Sequence, residues 1–306
     1  MATDPKKIED GCLLALRYFG IFKYPLTVKE IQEFNYYPAS ISEVEDIIAN
    51  LTSKGIVFRK EDYYLTENND DWVREREEGY NRAIILLAKS KKYISVIASF
   101  PFVRGIAISG SLSKFHASAK PDIDYFIITA ENRLWIARTL LHLYKKLTFL
   151  TGRQHYYCMN YFVDTAAMKI GHPNMYSSTE IVTLLPAYNA PLIRQFFTNN
   201  TWIREYLPNH PGQKNFDFVI GERKHRGKKF LELVLNLFFP RQMNKMWMKL
   251  TDRKWRRKWK RHGYSRDDYE RAFYTTVHVS KNHPVDYEKK VLELLAQYQI
   301  AEGLNR

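Results

Sequence analysis

A mixed α+β chain is the fold class this sequence predicts, and three observations predict it. Apolar runs of strand length occur at residues 103–109, 122–128 and 155–163, and stretches of helical periodicity separate them. Both flanks of this central block read as mainly helical, so helices pack on a mixed sheet rather than on each other alone. The chain of 306 residues is 45% hydrophobic, with 18 Phe and 21 Tyr, which is apolar mass enough for a packed core and too much for a disordered chain. The expected division is 1–70, 71–170 and a helical, basic region 171–306, with no internal repeat at a fixed period.

The first division is helical with a hairpin. Residues 8–19 carry Leu13, Leu14, Leu16 and Phe19 at helical spacing, and Pro25 then breaks the chain. Thr27 and Glu30 make a capping box ahead of Val28, Ile31 and Phe34; Ser42 and Glu45 make a second ahead of Ile47, Ile48 and Leu51, and Gly55 ends that helix. Residues 56–58 and 63–65 read as strands around a charged turn. Three helices and a hairpin in this order resemble a winged helix-turn-helix. That resemblance implies DNA reading by the third helix, yet 42–54 sets Glu43, Glu45 and Asp46 against a single Lys54, a poor face for phosphate. A structural or protein-docking role is therefore expected, with nucleic-acid contact as the alternative.

In the second division, 72–92 is a helix, 103–109 a strand, 112–119 opens as a short helix, 122–128 is a second strand, 133–147 a helix and 155–163 a third strand. Beyond it, helices are expected at 178–185, 191–206, 228–237, 242–261 and 286–301.

The chemistry lies between the first two strands. Asp122 and Asp124 are two apart in an apolar strand, so both carboxylates leave one face. Two adjacent carboxylates repel and the strand has no Lys or Arg to offset them; a divalent cation answers that charge, and Mg²⁺ suits a site with few protein oxygens plus substrate phosphates. Gly110 and Ser111 end the preceding strand. Glycine permits close backbone approach to a phosphate, the next helix start offers N–H groups, and Ser111 can donate to a phosphate oxygen.

The Gly110-Ser111 turn followed by Asp122-Ile-Asp124 resembles the nucleotidyltransferase superfamily of DNA polymerase β type, over about residues 100–165. The resemblance implies a nucleotidyltransferase-like mixed sheet. It also implies two-metal transfer of a nucleoside monophosphate from a nucleoside triphosphate to an acceptor hydroxyl on RNA, protein or a small molecule. Asp122 and Asp124 would bind Mg²⁺ or Mn²⁺ and carry catalysis; Gly110 and Ser111 would bind nucleotide. The family adds a third carboxylate from a neighbouring strand. Asp164 is the candidate ligand, sharing parity with Asn160 on a regular strand; Asp164 as a turn or cap residue, and Asn160 in the third place, are the alternatives. A neutral amide there favours the rival function, a catalytically degenerate fold serving as a nucleic-acid-binding or regulatory module. Lys114, near the Gly-Ser turn, is expected to neutralise triphosphate charge, with Arg138 as another candidate and a plain surface lysine as the alternative for Lys114. His283 reads as a turn histidine and Cys158 as a small buried residue.

Charge is uneven along the chain. The net charge is +14, and residues 211–262 hold 16 basic and 4 acidic side chains, or +12. The segment 241–261, with Arg241 and Arg261 at its ends, interleaves Trp247, Trp255 and Trp259 with those cations. RNA or another polyanionic acceptor is the expected partner; packing of the tryptophans on the body and a membrane-surface helix are the alternatives. Two cysteines make no disulfide framework and fit a reducing cytoplasm. Met1 to Lys7 has no apolar region of a secretion signal, and no run is long enough to span a membrane. Oligomeric state and base preference are not encoded in any motif.

Overall fold

The computed structural model describes residues 3–212, 216–221, 226–239, 241–283 and 286–301. The chain is mixed α+β. Helix α1 (Pro5–Gly20) starts at Asp4, whose carboxylate accepts from the Lys6 N–H. Helix α2 (Val28–Glu33) has the expected Thr27–Glu30 capping box. Helix α3 (Ile41–Ser53) begins two residues earlier than expected. Ser40, not Ser42, is its cap, exchanging hydrogen bonds with Glu43. Both serines have a glutamate three residues on; Ser40 wins because capping there adds Ile41 to Ser42 to the first turn and still buries Val44, Ile48 and Leu51. Strands β1 (Phe58–Lys60) and β2 (Tyr63–Leu65) form the hairpin, and Leu26 bridges to Tyr64 as a further rung.

Helix α4 (Asp70–Ser99) leads to a sheet built from β3 (Val103–Ser109), β4 (Asp124–Thr129), β5 (Cys158–Asp164), β6 (Leu185–Tyr188) and β7 (Val279–Lys281). Its order is β6-β3-β4-β5-β7. Only β4 and β5 run parallel, and the return between them is made by α6 (Leu134–Leu147), as a parallel pair requires. A single-turn helix α5 (Gly110–Ser113) follows β3. The region after 171 is not helix alone: both edge strands, β6 and β7, come from it, between α7 (Met175–Val182), α8 (Ala190–Asn199), α9 (Arg226–Phe238), α10 (Arg241–Lys260), α11 (Arg266–Ala272) and α12 (Tyr287–Ala301).

Helices cover both faces of the sheet. On one face Phe126, Ile128 and Val163 share a continuous core with Leu16 and Phe19 of α1, Ile48 of α3, Ile181 of α7 and Phe196 of α8. The N-terminal helices are thus packed into the same core as the sheet. On the other face Tyr125, Ile127, Met159 and Phe162 pack on Leu86, Ile94 and Ile97 of α4 and Trp135 and Leu141 of α6.

The register of β5 holds one irregularity. Tyr125 faces Met159 and Phe126 faces Tyr161, so Asn160 is an extra residue. Such a bulge re-aims side chains and shifts the alternation by one. Asn160 and Tyr161 fall on the same side as Asp124 and Phe126, and every later residue of β5 is moved to the face opposite the one regular parity predicts.

Candidate functional site

The site lies where β3 ends and β4 begins. Strand β4 starts at Asp124 rather than Asp122, but the chain before it stays extended along β5: Ile123 N–H donates to the His155 carbonyl at 3.0 Å, and Cys158 N–H to the Ile123 carbonyl at 3.1 Å. Ile123 is fully buried while Asp122 is exposed and Asp124 half-buried, so the expected alternation holds. Carboxylate oxygens of Asp122 and Asp124 and the Cys158 sulfur lie within 4.8 Å of one another.

Gly110 is set against this pair. Its φ of +67° is a conformation glycine adopts without strain, and a Cβ built there would come within 2.6 Å of Asp124 Oδ2. The missing side chain therefore clears room for a carboxylate of the site. Ser111 is exposed at the same turn. Helix α5 has four residues, a single turn, so the dipole of a long helix adds little here. Lys114 is nearby but engaged: its Nζ is 2.8 Å from Glu180 Oε1 and 3.3 Å from the Gly110 carbonyl.

Negative charge prevails around Asp124. Burial, then the Asp122 and Glu180 carboxylates, push its carboxyl up to about 7, although Lys145 and Lys114 pull the other way. Asn160 Nδ2 donates to Asp124 Oδ1 at 2.6 Å, which is where the bulge aims it. Burial raises the Cys158 thiol to about 11; Lys145 Nζ lies 3.4 Å from its sulfur.

Asp164 is not brought to this group. It pairs with Thr129, whereas Asp124 pairs with Cys158, so the two aspartates lie at opposite ends of β4, five strand residues or about 17 Å apart. The bulge also turns it to the other face. Fully buried, Asp164 accepts N–H bonds from Asn132 at 2.9 Å and Ala166 at 3.0 Å and pairs with His278 Nδ1 at 2.7 Å. This is the turn-residue role. The next carboxylate to act on Asp124 is Glu180 of α7, which sequence reasoning missed because no local pattern ties 180 to 124. Arg138 is likewise away from the site, buried with its guanidinium 4.4 Å from the Trp255 ring. His283 is half-buried, its backbone N–H bonded to the Ala272 carbonyl, and its partial burial lowers its imidazole to about 4.

Two carboxylates that share a face and lack full cationic compensation fit a hard divalent cation; the thiol beside them does not suit Mg²⁺. In the basic segment, Trp255 and Trp259 pack with Tyr269 of α11 and Phe273 at its end, which withdraws them from solvent-side stacking. The Arg241 side chain lies outside the described residues. No protein-family model, no curated protein and no solved structure matches the chain.

Proposed function

We propose that the chain is a divalent-metal-dependent nucleotidyltransferase, moving a nucleoside monophosphate from a nucleoside triphosphate to an acceptor hydroxyl with release of pyrophosphate. The observation that carries this reading is the pairing of Asp122 with Asp124 under Gly110, where burial and then the neighbouring carboxylates hold Asp124 at about 7. Asp122 and Asp124 would hold Mg²⁺ or Mn²⁺, which would supply charge neutralisation to the phosphates. The acceptor oxygen attacks the α-phosphorus, the bond from that phosphorus to the bridging oxygen breaks, and pyrophosphate leaves with the electron pair. Lys114, released from Glu180 by a competing phosphate, would neutralise the triphosphate, and Glu180 would then be free to take the acceptor's proton. The opening unit, three helices and a hairpin with Glu43, Glu45 and Asp46 exposed on α3, supports a winged helix used for packing and docking rather than for phosphate.

One observation favours a second reading. The residue beside Asp124 on β5 is an amide, and among the described residues no third carboxylate joins the ligand group. That fits a fold that binds nucleotide or nucleic acid without turnover. Incubation with labelled nucleoside triphosphates, Mg²⁺ or Mn²⁺ and mixed RNA, protein and small hydroxyl acceptors separates the two. Label transfer abolished in Asp122→Ala supports the enzyme. Binding of triphosphate with no transfer to any acceptor supports the second reading.

A further inference from the structure

Helix α9 is built inside out. Two of its charged residues face the body, while Lys229 is exposed: Lys228 Nζ donates to the carbonyls of Ala98 at 2.8 Å and Val103 at 2.6 Å. Glu232 accepts from the Phe102 N–H at 2.6 Å and pairs with Arg104 at 2.7 Å. Most of its apolar residues face water, although Leu235 packs on the cluster of Phe102 and Ile136: Phe230 is 69% exposed, Leu233 59%, Leu237 74% and Phe238 72%. A helix on a water-facing surface normally shows the reverse pattern, and an exposed apolar stripe of this length marks a surface that meets something apolar.

The next helix says what that is. Along α10, Lys245, Met246, Lys249, Leu250 and Arg253 line one open groove, so cations and exposed apolar side chains share a stripe. Toward its end Lys254, Arg257, Lys258 and Lys260 are exposed, while Trp247, Trp255 and Trp259 pack inward.

We propose that α9 and α10 are a membrane-surface module: the Phe and Leu face of α9 enters the acyl boundary of a bilayer, and the cations of α10 meet anionic phospholipid headgroups. Interfacial helices combine these two features, with Lys and Arg stems lying along the apolar boundary and their charges at the phosphates. Among the described residues no helix is long and apolar enough to cross a membrane, so the attachment is peripheral. Nucleic acid would satisfy the cations but offers the leucines no apolar counterpart. A two-fold contact with a second copy would set the same cations against each other. The inference does not depend on the transferase reading.

The test is sedimentation of the full chain with vesicles of phosphatidylcholine alone, or with one-third phosphatidylglycerol. Binding to the anionic vesicles, weak binding to the neutral ones and loss at high salt are expected. Leu233→Ser with Leu237→Ser should weaken binding about tenfold or more, since both side chains would leave the acyl boundary. Lys245→Ala, Lys249→Ala and Arg253→Ala together should weaken it and flatten its salt dependence. Unchanged circular dichroism and urea midpoints guard against misfolding; these side chains are already exposed. The proposal is overturned by absent binding to anionic vesicles at low salt, or by binding indifferent to the serine changes. It is equally overturned by a wild-type dimer that the serine changes dissociate, or by RNA binding that depends on the two leucines.

Discussion

Asp124→Asn should make this protein more stable above neutral pH, at the expense of any metal-dependent activity. The Asp124 carboxyl sits at about 7 in the fold against an ordinary 3.8. Each unit is worth about 1.36 kcal/mol, so keeping the group ionised in the folded chain costs ~4 kcal/mol. Between the two values the folded chain holds a proton that the unfolded chain has lost. This group's contribution therefore falls as pH rises from about 4 to about 7, and is constant above that. Asparagine removes the charge yet keeps an oxygen for the Asn160 N–H bond. Urea unfolding of both proteins in chelator, at about pH 5 and about pH 8, measures the difference. The variant should gain up to ~4 kcal/mol at the higher pH and much less at the lower. Added Mn²⁺ should then stabilise the wild type and leave the variant unmoved. A variant no more stable than wild type at the higher pH would refute the claim that partial burial and the neighbouring carboxylates disfavour the Asp124 charge.

Two further outcomes follow from the same neighbourhood. Asn160→Asp puts a second carboxylate against Asp124 Oδ1, now 2.6 Å from an amide nitrogen; the thermal midpoint without cation should fall, and the rise produced by Mn²⁺ should exceed that of wild type, both read by calorimetry. Gly110→Ala forces a left-handed backbone on alanine and sets its Cβ 2.6 Å from Asp124 Oδ2; a loss of about 1–3 kcal/mol in urea unfolding is expected, and a loss below about half a kcal/mol would show that the turn can yield.

Much of the fold is legible in the residues, and the failures are physical. Strand β3 has its predicted ends because a mostly apolar run, interrupted by Arg104 and Gly105, lies between Pro101 and Gly110, which are strong punctuation. Strand β6 escaped because Leu-Pro-Ala-Tyr contains a proline; Pro186 is tolerated since β6 is an edge, where a missing N–H is not needed by a further strand. Strand β7 has three residues and too little pattern to register. At the site, Gly110, Asp122 and Asp124 are neighbours in sequence terms and could be read together. The parity argument for Asp164 failed on a single inserted residue, since a bulge reverses every assignment after it. Glu180 is delivered by the packing of α7 on the sheet, and nothing local announces it.

Tyr24 joins the first part of the chain to the turn beside the aspartates. Its hydroxyl donates to the Lys114 carbonyl at 3.1 Å and its ring meets His116 edge-on, while Arg76 braces it from behind, 4.3 Å from the ring and salt-bridged to Glu30. Helix α4, which also carries Arg76, holds the same stretch through the Gly79 carbonyl and Arg82. The segment that follows Gly110 is thus tied to the loop after α1 and to α4, both outside the sheet. One hydrogen bond links the loop after α1 directly to Lys114, joining parts of the chain 90 residues apart.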